Sequence, residues 1–391
     1  MKKHYLCPQN QGVMVKNINP FIVSGKIAPE YFCDRVKEAA DLEKSIHNQM
    51  NVVLTSPRRM GKTSLVDFVF DKPEIKDEYV TVSVDILHTT TFREFILAFG
   101  TAVFDNVATR SVKLRKQFVT FLKSLSASFG YDTIQNMPTF DVKLGDVQNP
   151  EYTLAEIFGY LEKVDKRCIV VIDEFQQITR YPEKNVEALL RTHIQKLSNT
   201  NFVFSGSQRR LMEEMFFSSK RPFFQSAKSL RLEPIAYDVY LDFATRHFRE
   251  AGKGLAPEAF AHVYEVFMGV TLYVQRIMKD AFSETPKDQT CDDESVNQLI
   301  EDYIDENDSR LREQLAYITE AQKELLYAIH AEKQVQGITS TAFNKKYRLR
   351  SPSSSQSAAL KLLEYDLITR KEKTYSISDP LMKLWLDRRK V

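Results

Sequence analysis

An apolar run followed at once by a short glycine-containing loop constrains this chain more than any other feature. The run is Val52-Val53-Leu54, and the loop continues as Ser56-Pro57-Arg58-Arg59-Met60-Gly61-Lys62-Thr63. This pattern predicts a buried strand, a tight loop and the first turn of a helix. The backbone N–H groups of such a loop and the positive end of the helix favour phosphate groups. The segment therefore predicts a site for a nucleoside triphosphate.

Each side chain of the loop has an expected role at that site. Lys62 is expected to reach the β- and γ-phosphates, and the Thr63 hydroxyl to bind Mg²⁺. Ser56 stands where such loops usually begin with glycine; serine costs little there if its φ is negative and is strained if it is positive. The residues expected to contact the nucleotide are Ser56, Pro57, Arg58, Arg59, Met60, Gly61, Lys62, Thr63 and Ser64.

A second apolar run ends in two acids. The run from Cys168 to Ile172 predicts a strand buried on both faces, as in a parallel sheet covered by helices, and Asp173 and Glu174 follow it. In open α/β folds, ligands bind at the carboxyl edge of the sheet. Asp173 would hold Mg²⁺ through water, and Glu174 would polarise the attacking water. The alternative is a strand followed by two solvated turn acids; the phosphate loop upstream favours the nucleotide site.

Length and composition limit the remaining options. The chain has 391 residues, is 43% hydrophobic and carries a formal charge of +2, which predicts two or three domains and no general affinity for polyanions. Its four cysteines are scattered without a Cys-x-x-Cys pair, so they indicate neither a zinc site nor a disulfide framework. The basic N-terminus lacks the apolar stretch of a signal peptide, and no run is long enough to span a bilayer. We expect a reduced, cytoplasmic protein without membrane contact.

Strand and helix patterns alternate through the first 235 residues, which predicts a parallel sheet with crossover helices. The expected strands are 51–55, 79–86, 168–172, 201–205 and 229–232, and the expected helical stretches are 29–48, 62–70, 92–124, 153–164 and 184–197. Thr91 and Glu94 fit a capping box at the start of a helix. We expect an ATPase-type core over 1–235, a helical subdomain over 236–316 and a third domain over 317–391.

The last two domains differ in pattern and in charge. Helices are expected at 237–251, 257–267, 272–282 and 295–315, followed by helices at 319–331, 340–347 and 352–365 and strands at 367–370 and 374–377. Three helices and a two-stranded ribbon are typical of a winged helix. Residues 284–320 hold twelve acids and three bases, whereas residues 340–391 hold twelve bases and five acids.

Several motifs in one order resemble a known family. The loop in the form Pro-Arg-Arg-x-Gly-Lys-Thr-Ser-Leu is similar to that of the archaeal-type P-loop ATPases of the STAND/AAA+ division. The likeness extends to Tyr31-Phe32-Cys33-Asp34-Arg35, Asp173-Glu174, Ser205-Gly206-Ser207, Leu232-Glu233-Pro234 and residues 379–386. The resemblance implies an ATPase core, a helical lid and a winged helix, with ATP and Mg²⁺ held between core and lid.

The resemblance also implies roles for three further residues. Arg35 would lie near the nucleotide-binding face, although an arginine at the start of a charged helix is equally often part of a surface ion pair. Ser205 or Ser207 would be the catalytic polar sensor that contacts the γ-phosphate from its strand. For each serine the alternative is a turn that closes the strand.

Besides Ser56, the chain departs from the family at two positions. Relatives carry an arginine after the Pro-aromatic-aromatic segment, whereas Gln225 follows Phe224 here, and Thr271 replaces a proline of the lid motif. The arginine is thought to touch the γ-phosphate, so its loss predicts slow hydrolysis. Arg221 or Lys220 would substitute from the other side of the turn, unless the two are simply solvated.

Three functions remain open at this point. The first is a nucleotide-driven switch with weak basal ATPase activity, stimulated by a protein partner or by self-association. The second is a DNA-binding ATPase of the replication-initiator type, which would use the bases Lys345, Lys346, Arg348, Arg350, Arg370, Lys371 and Lys373. Against DNA, Leu360, Leu362 and Leu363 look like core residues, and in relatives the same module often acts as an internal latch. The third is a scaffold that binds ATP without turnover.

Overall fold

The structure is a computed structural model that describes residues 19–132 and 137–389. The basic N-terminal segment and Cys7 lie outside the described residues. Contacts divide the chain into two compact units: Lys26–Ile235 with Val270–Leu272, and the rest of the described residues. The predicted three-domain boundaries stay a prediction.

The first unit contains a parallel sheet of five strands. Their spatial order is β2-β5-β6-β1-β7, and every neighbouring pair is parallel. The strands are β1 (Val52–Thr55), β2 (Tyr79–Asp85), β5 (Arg167–Asp173), β6 (Thr200–Gly206) and β7 (Lys228–Arg231). A separate antiparallel pair joins β3 (Gly130–Asp132) to β4 (Met137–Thr139). The predicted α/β class with a parallel sheet is confirmed.

Helices connect the strands of this unit. They are α1 (Val36–His47), α2 (Lys62–Phe70), α3 (Pro73–Glu78), α4 (Phe92–Asn106), α5 (Val112–Phe121), α6 (Pro150–Glu162), α7 (Val186–Ile194) and α8 (Arg209–Phe217). The predicted capping box starts α4: the Thr91 hydroxyl accepts from the backbone of Glu94, whose side chain accepts from that of Thr91. The stretch expected at 92–124 is broken because the Ser111 side chain caps the start of α5.

The core lies on both faces of the sheet, as β5 illustrates. Cys168, Val170 and Ile172 pack in one apolar cluster, whereas Ile169 and Val171 pack in another. Successive side chains of a strand point to opposite faces, so a strand covered on both sides must be apolar throughout. The prediction of a doubly buried strand from this run is correct.

The first helix is shorter than its pattern indicated. A single 3₁₀ turn covers Pro29–Tyr31, and α1 begins only at Val36. Val36 is 73% exposed, while Ala39, Leu42 and Ile46 are buried. The helix expected at 29–48 thus begins seven residues late, about two turns, while Ala39, Leu42 and Ile46 form its buried face.

The second unit continues with helices and a short parallel strand pair. Its elements up to residue 316 are α9 (Tyr237–Glu250), β8 (Gly254–Leu255), α10 (Pro257–Val266), α11 (Thr271–Glu284), β9 (Thr290–Cys291), α12 (Asp293–Glu306) and α13 (Asp308–Ala316). The helix expected at 295–315 divides at Asn307, whose side chain donates to the Tyr303 carbonyl and accepts from Arg310. These bonds satisfy polar groups at the break.

The last residues form a winged helix. Its elements are α14 (Glu320–Glu332), β10 (Val335–Gln336), α15 (Thr341–Lys346), α16 (Pro352–Glu364), β11 (Ile368–Lys371), β12 (Thr374–Ile377) and α17 (Pro380–Arg388). The three strands are antiparallel in the order β10-β12-β11, one more than predicted. Ser351 caps α16 as its position before Pro352 suggests. Leu362 is buried, but Leu360 is 58% exposed and is not a core residue.

Within residues 19–132 and 137–389, no helix combines the length and the apolar character required to cross a bilayer.

Candidate functional site

The phosphate-type loop connects β1 to α2, as the sequence predicts. Gly61 adopts a left-handed conformation with φ of +84° immediately before Lys62 begins the nine-residue helix α2. Arg59 has a positive φ as well, at +69°. A glycine tolerates this conformation without steric cost, which explains its place before the helix. The first N–H groups of α2 therefore stand at the end of the loop, where a phosphate would meet them.

Ser56 fits the loop without strain. Its φ is not in the positive range, so the position does not require glycine. The residue is only 1% exposed, and its hydroxyl donates to the Pro57 carbonyl at 2.8 Å. The open question about serine in place of the usual first glycine is thus answered: this loop has the conformation that serine accepts.

Thr63 and Asp173 meet at the carboxyl edge of the sheet. The Thr63 hydroxyl donates to a carboxylate oxygen of Asp173 at 3.4 Å. Asp173 ends β5, and its Cα partner in the register with β2 is Asp85. Hydroxyl and carboxylate oxygens are the ligands that Mg²⁺ prefers. The two residues assigned to the metal from the sequence are therefore brought together by the fold.

Glu174 is held by two donors just beyond the strand. Its own backbone is left-handed, with φ of +54°, and precedes the 3₁₀ helix Phe175–Arg180. The Ser207 hydroxyl donates to Glu174 Oε2 at 2.7 Å, and the Gln176 side-chain amide donates to the same oxygen at 2.5 Å. Of the two predicted sensor serines, Ser207 contacts Glu174 just after β6 ends. Ser205, two residues earlier, is buried within β6.

Gln176 is the functional candidate that the sequence analysis missed. A glutamine two residues after the acid pair carries no motif by itself. The one available signal is its place in a segment where Phe175 and Ile178 are apolar, because a polar residue between buried neighbours must find a partner.

A second glutamine ties the loop after β2 to the same 3₁₀ helix. Gln177 donates to the Thr89 carbonyl at 2.8 Å, and the Thr89 hydroxyl lies 2.5 Å from the Tyr181 hydroxyl. Burial raises the pKa of Tyr181 to about 12, so it stays a neutral phenol at physiological pH. Neither bond involves the Glu174 carboxylate.

The Arg35 side chain contacts the backbone of the phosphate-type loop. Its guanidinium is 5% exposed and donates to the Met60 carbonyl at 3.2 Å and to the Glu233 carbonyl at 2.7 Å. A third bond, at 3.0 Å, goes to the Glu38 carboxylate. The sequence alternatives were a nucleotide contact and a surface ion pair. The observed contacts show a buried arginine that links the loop to the chain after β7.

Arg221 is engaged within the core unit. It forms an ion pair of 2.5 Å with Glu187, on α7, and is about one quarter exposed. Burial raises the pKa of Glu187, while the positive charge of Arg221 opposes that rise. Gln225, which follows Phe224, has φ of +52° and donates its backbone N–H to the Phe216 carbonyl. Arg221 is therefore held by Glu187 rather than solvated.

The cysteines of the described residues serve packing. Cys33, Cys168 and Cys291 are buried and form no disulfide within residues 19–132 and 137–389. Burial raises the pKa of the Cys168 thiol to about 12, which leaves it protonated and unreactive at neutral pH.

Comparison with known proteins agrees with this architecture. Residues 32–277 match the family model described as an ATPase domain predominantly from Archaea. Residues 310–388 match the model of a probable winged helix domain. No curated protein matches the chain.

Solved structures of other proteins share the fold, among them one from Pyrococcus abyssi and one from Aeropyrum pernix. A Walker-type ATPase of Pyrococcus abyssi superposes with a TM-score of 0.66 at 18% identity, covering 94% of this chain and 99% of that one. The ORC2 protein of Aeropyrum pernix, solved in ADPNP–ADP complexes, gives a TM-score of 0.58 at 13% identity, over 95% and 97% of the two chains. The P-loop fold and the family match agree, and this chain belongs to the family of ATPase domains found predominantly in Archaea.

Proposed function

We propose that the chain binds ATP with Mg²⁺ at the β1–α2 loop and hydrolyses it slowly, as a nucleotide-driven switch. The observation that carries this proposal is the 3.4 Å contact between Thr63 and Asp173, because it unites the loop with the acidic strand end. Membership of the ATPase family supports the same conclusion.

The loop residues would bind the phosphates. The left-handed Gly61 leads into α2, whose N-terminal N–H groups and positive dipole favour the negative charge. Lys62, at the first position of the helix, adds a cation for the β- and γ-phosphates.

Thr63 and Asp173 would hold the metal, which neutralises charge on the phosphate oxygens when it is bound. Glu174 would accept a proton from the attacking water and release it to solvent after the reaction. The water oxygen forms a bond to the γ-phosphorus, the bond from that phosphorus to the bridging oxygen breaks, and ADP and phosphate leave. Ser207 would orient the carboxylate through its 2.7 Å bond.

The proposed slow rate of ATP hydrolysis follows from where the arginines of this chain lie. An arginine that contacts the transferred phosphate is worth about 10³ to 10⁵ in turnover. Gln225 stands where relatives carry that arginine, and Arg221 is paired with Glu187. We propose that a protein partner or a second copy of the chain raises the rate.

The test compares nucleotide binding and phosphate release in four proteins. Lys62→Ala is expected to lose ATP binding, and Glu174→Gln to bind ATP without releasing phosphate. Lys37→Ala is the matched control, because Lys37 is exposed on α1. Wild-type binding without release would instead support a scaffold that holds ATP, and wild type without binding would overturn the proposal.

A second candidate function is DNA binding by the winged helix. The exposed side of α16 carries Ser353, Gln356 and Ser357, groups that can bond base edges in a major groove. Exposed cations that form no ion pair within the described part of the chain flank this helix in sequence: Lys345, Arg348, Arg350, Lys371 and Lys373. Cations so placed can neutralise phosphates on either side of a bound helix.

Salt-dependent binding to duplex DNA tests this candidate. Replacing Lys371 and Lys373 by alanine is expected to weaken binding and to lower the slope of log affinity against log salt by about two. The matched control replaces Lys37 and Lys44, two exposed lysines of α1. Absence of binding at low salt would leave the winged helix as a surface for protein contact.

A further inference from the structure

Gln176 is more deeply buried than glutamines usually are. Its side chain is 3% exposed and lies in the 3₁₀ helix that follows Glu174. Glutamine is mostly found at protein surfaces, and burying its amide is costly unless both polar ends are bonded. Among the residues that the structure describes, only one end of the amide is bonded: Nε2 donates to Glu174 Oε2.

The chemistry of the partner sets the orientation of this amide. An ionised carboxylate only accepts hydrogen bonds, so the nitrogen of the amide must face it. The carbonyl oxygen of Gln176 is then turned away, and it has no hydrogen-bond partner among the described residues. A buried carbonyl without a partner is uncommon and is kept where position matters more than stability.

Gly206 provides the space for the amide. A Cβ at position 206 would lie 2.4 Å from Gln176 Oε1 and 2.7 Å from the side chain of Met212. Gly206 ends β6 between Ser205 and Ser207 and has an ordinary φ, so the glycine is needed for its missing side chain and not for its backbone. Any larger residue would push the Gln176 amide from its place.

The donors converge on a single oxygen. Gln176 and Ser207 both bond Oε2 of Glu174, whereas Oε1 accepts no hydrogen bond from residues 19–132 or 137–389. Two donors from different elements hold the carboxylate in one orientation, and its second oxygen remains available for a water molecule.

We propose that Gln176 is a positioning residue for Glu174, and that Gly206 is retained because it makes room for the Gln176 amide. This inference rests on the proposed function, in which Glu174 accepts a proton from the attacking water. Gln176 acts through Glu174 and does not itself contact the reacting atoms. The bond from Gln176 determines which carboxylate oxygen of Glu174 faces the water. Displacement of a catalytic group by about 1 Å can cost a hundredfold in rate, so loss of this bond is expected to slow turnover.

Turnover and nucleotide affinity are measured separately for Gln176→Ala and Gln176→Met. The methionine variant keeps the length of the side chain and removes the donor, so it tests the bond if the alanine variant does not fold. Both are expected to lower kcat by about 10- to 100-fold while the Kd for ATP stays near the wild-type value.

Gln177→Ala is the matched control. Gln177 is the adjacent buried glutamine, 8% exposed, and its amide bonds the Thr89 carbonyl instead of Glu174. We expect its kcat to stay close to that of wild type. An equal fall in kcat for the Gln176 and Gln177 variants would overturn the inference, because it would show a general effect on the 3₁₀ helix.

A double-mutant cycle with Gly206→Ala distinguishes positioning from general damage. Gly206→Ala is expected to lower kcat, but in the Gln176→Ala background it should add less, since the amide is gone and only the close approach to Met212 remains. Additive losses in this cycle would overturn the inference.

The outcomes also separate this inference from the proposed function. Wild-type release of phosphate that Glu174→Gln abolishes, together with a Gln176→Met variant of undiminished kcat, would leave the ATPase standing and remove Gln176 from the site. Wild type that binds ATP and never releases phosphate would overturn both.

Discussion

The Thr63 hydroxyl lies 3.4 Å from a carboxylate oxygen of Asp173, although 110 positions separate the two residues in the chain. Thr63 is in the first turn of α2, and Asp173 ends β5, which is separated from β1 by β6. Parallel strands end at the same edge of the sheet, so the loop after β1 and the end of β5 reach one place.

Loss of the Thr63 hydroxyl or of the Asp173 negative charge is expected to weaken the binding of Mg²⁺. Thr63→Val keeps the shape of the side chain and deletes the hydroxyl, and Asp173→Asn removes the charge. We expect the Mg²⁺ concentration for half-maximal turnover to rise about 10- to 100-fold. Titration of phosphate release with Mg²⁺ measures this. Thr120→Val, on the exposed side of α5, serves as the control, and an unchanged midpoint in both site variants would contradict the assignment.

Arg35 is expected to stabilise the loop rather than to contact nucleotide directly. Arg35→Ala leaves the Met60 and Glu233 carbonyls without their donor, which should lower the free energy of unfolding by about 1–3 kcal/mol. Urea denaturation measures this loss. Glu38→Gln keeps both backbone bonds and should cost much less. If Arg35→Ala weakened ATP binding with undiminished stability, a direct contact with nucleotide would be the better explanation.

Arg221 is expected to matter for stability and not for turnover. Arg221→Ala leaves the largely buried Glu187 without its partner, and we expect the free energy of unfolding to fall by up to about 3 kcal/mol. Combining Arg221→Met with Glu187→Leu in one protein should recover most of that loss, because no unpaired charge then remains.

The kinetic result decides whether Arg221 substitutes for the arginine that this family normally carries. We expect kcat of the folded Arg221→Ala protein to stay within about twofold of wild type. A fall of a hundredfold or more with intact folding would instead identify Arg221 as the residue that contacts the γ-phosphate.

Stability is expected to fall in mild acid because of His330. Burial lowers the pKa of His330 below its ordinary value of 6.5, although the nearby carboxylate of Asp387 opposes this shift. The unfolded chain therefore binds a proton below about pH 6.5 that the folded chain does not. The free energy of unfolding should decline as the pH falls from 6.5 toward the lowered pKa, and stay level for this group above 6.5.

Denaturation at several pH values, for wild type and His330→Gln, measures this contribution. The difference between the two proteins should shrink as the pH falls, at a rate of at most about 1.4 kcal/mol per pH unit. A difference that grows in acid would mean that the charged form of His330 is the one stabilised by the fold.

Much of the site was visible in the sequence because it is encoded locally. The order of strand, loop and helix around Lys62 follows from apolar patterning and from one glycine that accepts a positive φ. The starts of α4 and α16 follow from Thr91 and Ser351, whose side chains bond the first N–H groups of their own helices.

Other features needed the packed chain. Nothing in the sequence marks Gln176 or Gly206 as functional. The pairing of β5 with β6 brings the Gln176 amide into the space that a side chain at position 206 would occupy. For Arg35 the sequence left a nucleotide contact and a surface ion pair equally open. The folded chain shows instead that its guanidinium bonds two backbone carbonyls. The short strand β10 was not predicted because two residues are too few to form a pattern.

The sequence alone determined the five strands of the parallel sheet and most of the long helices, and that a phosphate loop and an acidic strand end are both present. These properties depend on side-chain periodicity and on neighbours within a few residues. The tertiary structure decided which distant side chains face one another: Thr63 with Asp173, and Ser207 with Glu174. Those contacts join residues that are far apart in the chain, and their distances are set by strand order and register, which no local pattern specifies.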